Sequence, residues 1–237
     1  MPPRRHQPPV HRWDVTPAEA RAIQEQVRRR VSRRNGRELR NLRYVAGVDC
    51  SLRDGHAFAA VPVLVFDTLE LVELAVAEAP LTFPYVPGLL TFRECPAILA
   101  AFQKLSIKPD LVMVDGQGVA HPRRVGIAAH LGVLLDKPTI GCAKSRLLGT
   151  HDEPHERAGY YTDLWDKGEL IGGVLRTRDG VAPLYVSIGH KIDLPTALDL
   201  TLACCAGRRL PEPTRLAHKA AAGNLTLPRS AISATKS

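Results

Sequence analysis

An α/β fold built on one mixed central sheet flanked by helices is what the order of apolar segments predicts. Three observations carry it. Three strand-like runs follow one another across short polar turns, the pattern switches after residue 88 to alternating helix and strand, and 45% of the 237 residues are apolar. That share suffices for one sizeable core, so one domain is expected rather than two. No stretch of about 18 apolar residues occurs, so no membrane-spanning helix is expected.

Thr16-Pro17-Ala18-Glu19 has the form of a capping box with proline at the first helical position. The helix it starts is expected to run to residue 34 and stop at Asn35-Gly36. Strands are expected over residues 43–50, 57–66 and 69–79, joined by turns at Arg53-Asp54-Gly55 and Asp67-Thr68, which makes an antiparallel three-strand meander. A helix over 88–105 follows, with Pro96 implying a kink or a fresh start. Next come a buried strand at 110–114, a helix at 124–135 and a strand at 138–143. A strand pair at 169–176 and 184–188, a helix at 194–206 and a short helix at 213–222 complete the chain. A meander followed by helix–strand–helix–strand is the element order of a ribonuclease-H-like fold, with parallel strands added to the meander. Residues 1–15 and the tail from 223 to 237 read as disordered.

The net charge is +8, and residues 1–40 carry eleven arginines against Asp14, Glu19, Glu25 and Glu38, a net of +7. A basic element on a near-neutral body suits an anionic partner such as a phosphate backbone; a solvated arginine-rich tail is the plainer alternative. The N-terminus is basic and proline-rich with no apolar stretch behind it, unlike a secretory signal. Five cysteines without a C-x-x-C pair point to reduced, buried thiols and a cytoplasmic location.

Asp49 ends the apolar run Tyr44-Val45-Ala46-Gly47-Val48, and Asp115 ends Leu111-Val112-Met113-Val114. Two carboxylates closing two apolar strands lose hydration unless something cationic meets them, and Mg²⁺ prefers such oxygen ligands. Glu94, in Phe92-Arg93-Glu94, would add a third carboxylate if its helix packs near those strand ends. His218 shares a helix face with Thr214 and can orient a water or bind metal. In Asp115-Gly116-Gln117-Gly118-Val119-Ala120-His121-Pro122-Arg123-Arg124 the glycines allow close backbone approach, and the basic residues lead into a helix N-terminus, a setting that favours phosphate. Lys144, after a strand, can sit against a phosphate as a compact charge. Pro84-Tyr85-Val86-Pro87-Gly88 is a stiff link whose aromatic ring can enter a base stack.

Taken together, these segments resemble the endonuclease V family, the deoxyinosine 3′ endonucleases. The likeness also takes in Gly141-Cys142-Ala143-Lys144-Ser145-Arg146-Leu147 and the stretch from Arg208 to His218, and covers about residues 40–220. It implies a ribonuclease-H-like fold and metal-assisted phosphodiester hydrolysis, with residues 41–222 as one catalytic domain behind a basic arm and helix at 1–40. Asp49, Glu94 and Asp115 would hold Mg²⁺, which Mn²⁺ can replace, and His218 would complete the catalytic group. His121 and Lys144 would lie at the scissile phosphate. Pro84, Tyr85, Val86 and Pro87 would form a strand-separating wedge, and Gly88, Leu90, Gly116 and Leu147 a pocket for the extruded base. Such enzymes cut the second phosphodiester bond 3′ of the lesion, leaving 3′-hydroxyl and 5′-phosphate ends. Val86 stands where isoleucine is commoner, and Cys50 where a plain aliphatic residue is usual.

The partner implied is DNA containing deoxyinosine, with inosine-containing RNA as the alternative substrate and a monomer as the expected state. A catalytically inert relative would be expected to lack a metal carboxylate, and all three are present. A nuclease without lesion preference would not need the Pro-Tyr-Val-Pro segment.

Overall fold

The computed structural model describes residues 11–225; the expectation of disorder at residues 1–10 and 226–237 lies outside it. At residues 11–15 that expectation is corrected, His11 and Trp13 packing on Phe92 and His130, and Leu225 packs against the core. Eight strands form one sheet in the order β3-β2-β1-β4-β5-β8-β7-β6. They are β1 (Tyr44–Arg53), β2 (His56–Val65), β3 (Leu71–Pro80), β4 (Leu111–Val114), β5 (Thr139–Ala143), β6 (Tyr161–Asp166), β7 (Glu169–Leu175) and β8 (Leu184–His190). β1 to β3 are the antiparallel meander expected from sequence, and β4 and β5 add on parallel to β1. The first five strands thus give the ribonuclease-H-like arrangement. β8, β7 and β6 extend it antiparallel.

The sheet is buried on both faces, and strand periodicity decides which residue meets which layer. Val45, Leu111 and Met113 pack with residues of α4 (Leu194–Ala203) and α5 (Glu212–Ala221), whereas Ala46, Val48, Val112 and Val114 pack with α2 (Thr91–Gln103) and α3 (Ile127–Leu135). By the same alternation Asp49 and Asp115 fall on the α5 face.

α1 (Pro17–Arg28) begins with the expected capping box, Thr16 accepting from the Glu19 amide and Glu19 accepting from the Thr16 amide. It ends six residues earlier than expected. Residues 32–36 leave the helix to run beside β8's end, where the Lys191 amide donates to Ser32 and the Gly36 amide to Lys191. Asn35 does not stop the helix; its side chain accepts from the Asp193 amide and donates to Asp193 and Thr196, bracing the start of α4. In the segment read as an arm, Ala20, Gln24 and Val27 are buried against the body.

α2 is one continuous helix through Pro96, so the fresh start that the proline offered does not occur there. α3 starts three residues late, as the chain must first pass Arg124 in the left-handed region. β6, an edge strand joined to β7 by a Lys167-Gly168 turn with both φ positive, was not expected from sequence. Among the described residues no helix is long and apolar enough to cross a membrane.

Candidate active site

The parallel pairing of β1 and β4 ends at Val48 and Val114, and the Asp115 amide makes the last link, to the Val48 carbonyl at 3.0 Å. Asp49 and Asp115 are the next residues on each strand, side by side where the two strands part. β1 itself continues to Arg53, so Asp49 closes the parallel pairing and not the strand.

α5 brings the third member. A Cβ on Gly47 would lie 1.9 Å from the Pro213 carbonyl oxygen, so glycine there is what lets the start of α5 press onto β1. Five residues on, His218 Nδ1 lies 2.7 Å from Asp49 Oδ2, while the Cys50 amide donates to Asp49 Oδ1 at 2.8 Å. Lys144, just past β5, forms an ion pair with Asp115. Among the described residues, Asp49, Asp115 and His218 offer ligand atoms all within 4.8 Å of one another, so this acidic cluster could hold a metal ion.

Glu94 approaches from the other face, on the first turn of α2. It lies outside that tight triad but close enough to feel both aspartates. Burial, then the charges of Asp49 and Asp115, push its carboxyl up to about 8. Asp49 is raised too, first by burial and then by Asp115, with His218 and the Cys50 amide pulling the other way. Carboxylates that repel one another in a partly desolvated site are an arrangement a divalent cation relieves, and oxygen donors beside one imidazole form a fitting set. Cys50 faces the Glu94 side; burial and the neighbouring carboxylates keep its thiol protonated, in line with an inert role.

A cavity of about 440 Å³ opens beside the cluster. Tyr85, Val86, Pro87, Gly88, Leu90, Gly116, His121 and Leu147 all line it, so the structure gathers the expected wedge and pocket residues, apart from Pro84, around one space. Asp115 and Lys144 line both this cavity and a neighbouring one of about 320 Å³ that contains Asp49 and His218. Tyr85 is 74% exposed at the rim. The link is anchored behind it by buried Phe83, which packs on Phe92 and whose carbonyl accepts from Arg93.

His121 lies in the pocket wall rather than in the carboxylate cluster. The Arg123 amide donates to its Nδ1, which leaves the proton on Nε2, 3.2 Å from the Gly88 carbonyl. Burial and the Arg123 charge hold it down at about 4, so it stays neutral.

Sequence reading missed Gly47, whose signal was a glycine inside an apolar strand, and Ile127, Ser145 and Arg146 of the pocket lining. It also missed Gln24, buried on α1, for which the one signal was its helical spacing with Ala20 and Val27.

The Endonuclease V family profile matches residues 25–219. The endonuclease V of Rippkaea orientalis is 53% identical over 211 residues, 87% of this chain and 91% of that protein. The crystal structure of endonuclease V from Streptomyces avermitilis superposes with a TM-score of 0.84 at 42% identity, covering 89% of this chain and 93% of that one. Endonuclease V of Ciona intestinalis, in complex with a 24mer DNA containing an inosine followed by a ribo-adenosine, gives 0.76 at 29% identity, over 87% and 96% of the two chains. With its ribonuclease-H-like sheet and its acidic cluster, the chain belongs to the endonuclease V family.

Proposed function

We propose that this enzyme recognises deoxyinosine in DNA and hydrolyses the second phosphodiester bond 3′ of it, leaving 3′-hydroxyl and 5′-phosphate ends. One observation carries the reading: an apolar cavity large enough for a purine shares Asp115 and Lys144 with the carboxylate cluster. A base turned into the cavity would thus hold its own strand across the cluster. The inosine-containing DNA bound by the Ciona relative supports this substrate.

Asp49, Asp115 and Glu94 would hold Mg²⁺, or Mn²⁺ in its place, with His218 beside them. When bound, the ion supplies charge stabilisation to the phosphate and a nucleophile at neutral pH. With Asp49 accepting from Nδ1, His218 keeps Nε2 free to take a proton from the attacking water. Lys144 would turn from Asp115 to the charge building on the phosphate, and neutral His121 would wall the pocket without competing for that proton. Tyr85, on its link of Pro84, Val86 and Pro87, would fill the gap left in the base stack. Residues 41–222 with α1 packed on them would form one catalytic unit, monomeric and, with all five cysteines free, cytoplasmic.

An end-labelled duplex with a single deoxyinosine tests this. A Mg²⁺-dependent nick one nucleotide past the lesion is expected. Cleavage of inosine-RNA alone would move the biology to RNA, a second reading favoured by the ribo-adenosine in the Ciona complex. No cut in either would overturn the assignment.

A further inference from the structure

We infer that Gln24 is a positioning residue for lesion recognition, holding the base of the wedge through the Gly88 carbonyl. The inference rests on the proposed function and adds a residue one position before the family match begins. Gln24 is 1% exposed, the one polar group among the three buried residues of α1. On one side Ala20 packs with Phe83, Leu89 and Phe92; on the other Val27 packs with Val125, Ala129 and Val133. A seam between two apolar clusters calls for leucine if packing were all that mattered.

What Gln24 does instead is tie three segments of the pocket together. Its Nε2 donates to the Gly88 carbonyl at 2.9 Å and reaches the Val125 carbonyl at 3.4 Å, while Oε1 accepts from Arg123 Nε at 2.5 Å. Arg123 Nη2 donates to the same Gly88 carbonyl at 2.7 Å, and His121 Nε2 approaches it at 3.2 Å. That carbonyl belongs to a tight turn. Pro87 and Gly88 (φ +77°) are its central residues, and the Leu89 amide closes it onto the Val86 carbonyl at 3.0 Å, the pattern of a type II turn. The peptide between Gly88 and Leu89 is therefore fixed on both edges, by Val86 within the turn and by Gln24 and its partners outside it. Tyr85 stands immediately before this turn, and Gly88 itself lines the pocket. Rotation of that one peptide would swing Tyr85 and the wedge, while the pocket walls at Gly116, Ile127 and Leu147 and the carboxylates stay in place.

The test compares duplex with single-stranded substrate, because only the duplex needs a wedge. Gln24→Leu leaves the Gly88 carbonyl short of a donor and Arg123 Nε without its acceptor, so binding to a deoxyinosine duplex should weaken about tenfold, with kcat little changed. Binding to single-stranded deoxyinosine DNA should change by less than about twofold. Gln24→Glu keeps the acceptor for Arg123 but sets a carboxylate oxygen against the Gly88 and Val125 carbonyls, so its duplex-selective loss should be at least as large as that of the leucine variant; it carries the test alone if the leucine variant does not fold. Equal losses on both substrates, or none on the duplex, overturn the inference while leaving the proposed function standing. A wild-type enzyme indifferent to deoxyinosine overturns the function itself, and the role given to Gln24 with it.

Discussion

The carboxylate cluster and the apolar pocket share Asp115 and Lys144, yet they are built on opposite principles. The cluster draws Asp49 and Asp115 from one face of the sheet and Glu94 from the other, and burial with mutual repulsion raises Asp49 and Glu94. The turn behind the pocket is tied down before any ligand arrives: Gln24, Arg123 and His121 converge on one carbonyl, and His121 is fixed as a neutral ring. The cluster is left in want of a cation, while the turn that carries Tyr85 is braced in advance. Separate losses of chemistry and recognition should therefore be obtainable.

The largest effect is expected from Asp49→Ala, since Asp49 belongs to the cluster and not to the pocket. Cleavage should fall by at least about 10³-fold while deoxyinosine binding stays near wild type. Asp115→Ala should also abolish cleavage, with some cost to binding because Asp115 lines both spaces. Single-turnover rates beside a binding titration check this; a D49A enzyme cutting at near wild-type rate in Mg²⁺ would remove the metal assignment.

Gly47→Ala attacks the cluster through packing. The new methyl would meet the Pro213 carbonyl well inside contact distance, and both atoms belong to main elements with little room to give. α5 must lift, taking His218 from Asp49, at a stability cost of about 3 kcal/mol. Denaturant unfolding should register that loss, and kcat should drop more than lesion affinity. If kcat holds while α5 is displaced, His218 has no part in the chemistry.

These two sites differ in how far the sequence announces them. Asp49 and Asp115 stand out because an acidic residue at the end of an apolar strand is costly, and strand alternation then puts both on one face. Gly47 matters only once α5, 166 residues further on, lies against it, and no local pattern encodes that approach. Gln24 looks like one more polar residue on a basic helix until its neighbours Ala20 and Val27 prove buried. The end of α1 was misread for a related reason: Asn35-Gly36, a usual helix stop, is used here to brace α4. β6 escaped notice because it is an edge strand with Leu164 as its one buried residue, so it lacks the apolar alternation that reveals half-buried strands. The family resemblance brought together residues that line one cavity, whereas the hydrogen bonds converging on the Gly88 carbonyl behind them had no signal in the sequence.

Tyr85→Ala probes the recognition end with little effect on the cluster. Base–aromatic stacking is worth about 1–3 kcal/mol, so duplex binding should weaken roughly tenfold to a hundredfold. Turnover of bound substrate should persist. A kcat loss matching that of D49A would show that the two ends are not separable.

The smallest effects, and the sharpest contrast in sign, should appear in the pH dependence of stability measured with chelator present. At the cluster the folded state holds Glu94's proton more tightly than the unfolded chain, whose value is near 4.5, and its folded value is about 8. That contribution is fully present below pH 4.5 and lost as pH rises through 8, so alkali stresses the cluster. In the pocket wall, and behind it where His130 packs with His11 and Phe92 without lining the cavity, the sign reverses. Burial holds His121 at about 4 and, next to His11, holds His130 at about 3, against 6.5 in the unfolded chain. Their contribution is complete above pH 6.5 and lost as pH falls through those folded values, so acid stresses the recognition end. Glu94→Gln should therefore raise the thermal midpoint relative to wild type at pH 9 and change it little at pH 5. His130→Asn, which keeps a polar group beside His11 without a proton to gain, should narrow the fall in midpoint between pH 7 and pH 4.5 and leave the alkaline limb alone. Midpoints that shift on the same side of neutrality for both variants would mean that the two ends of the site do not titrate independently.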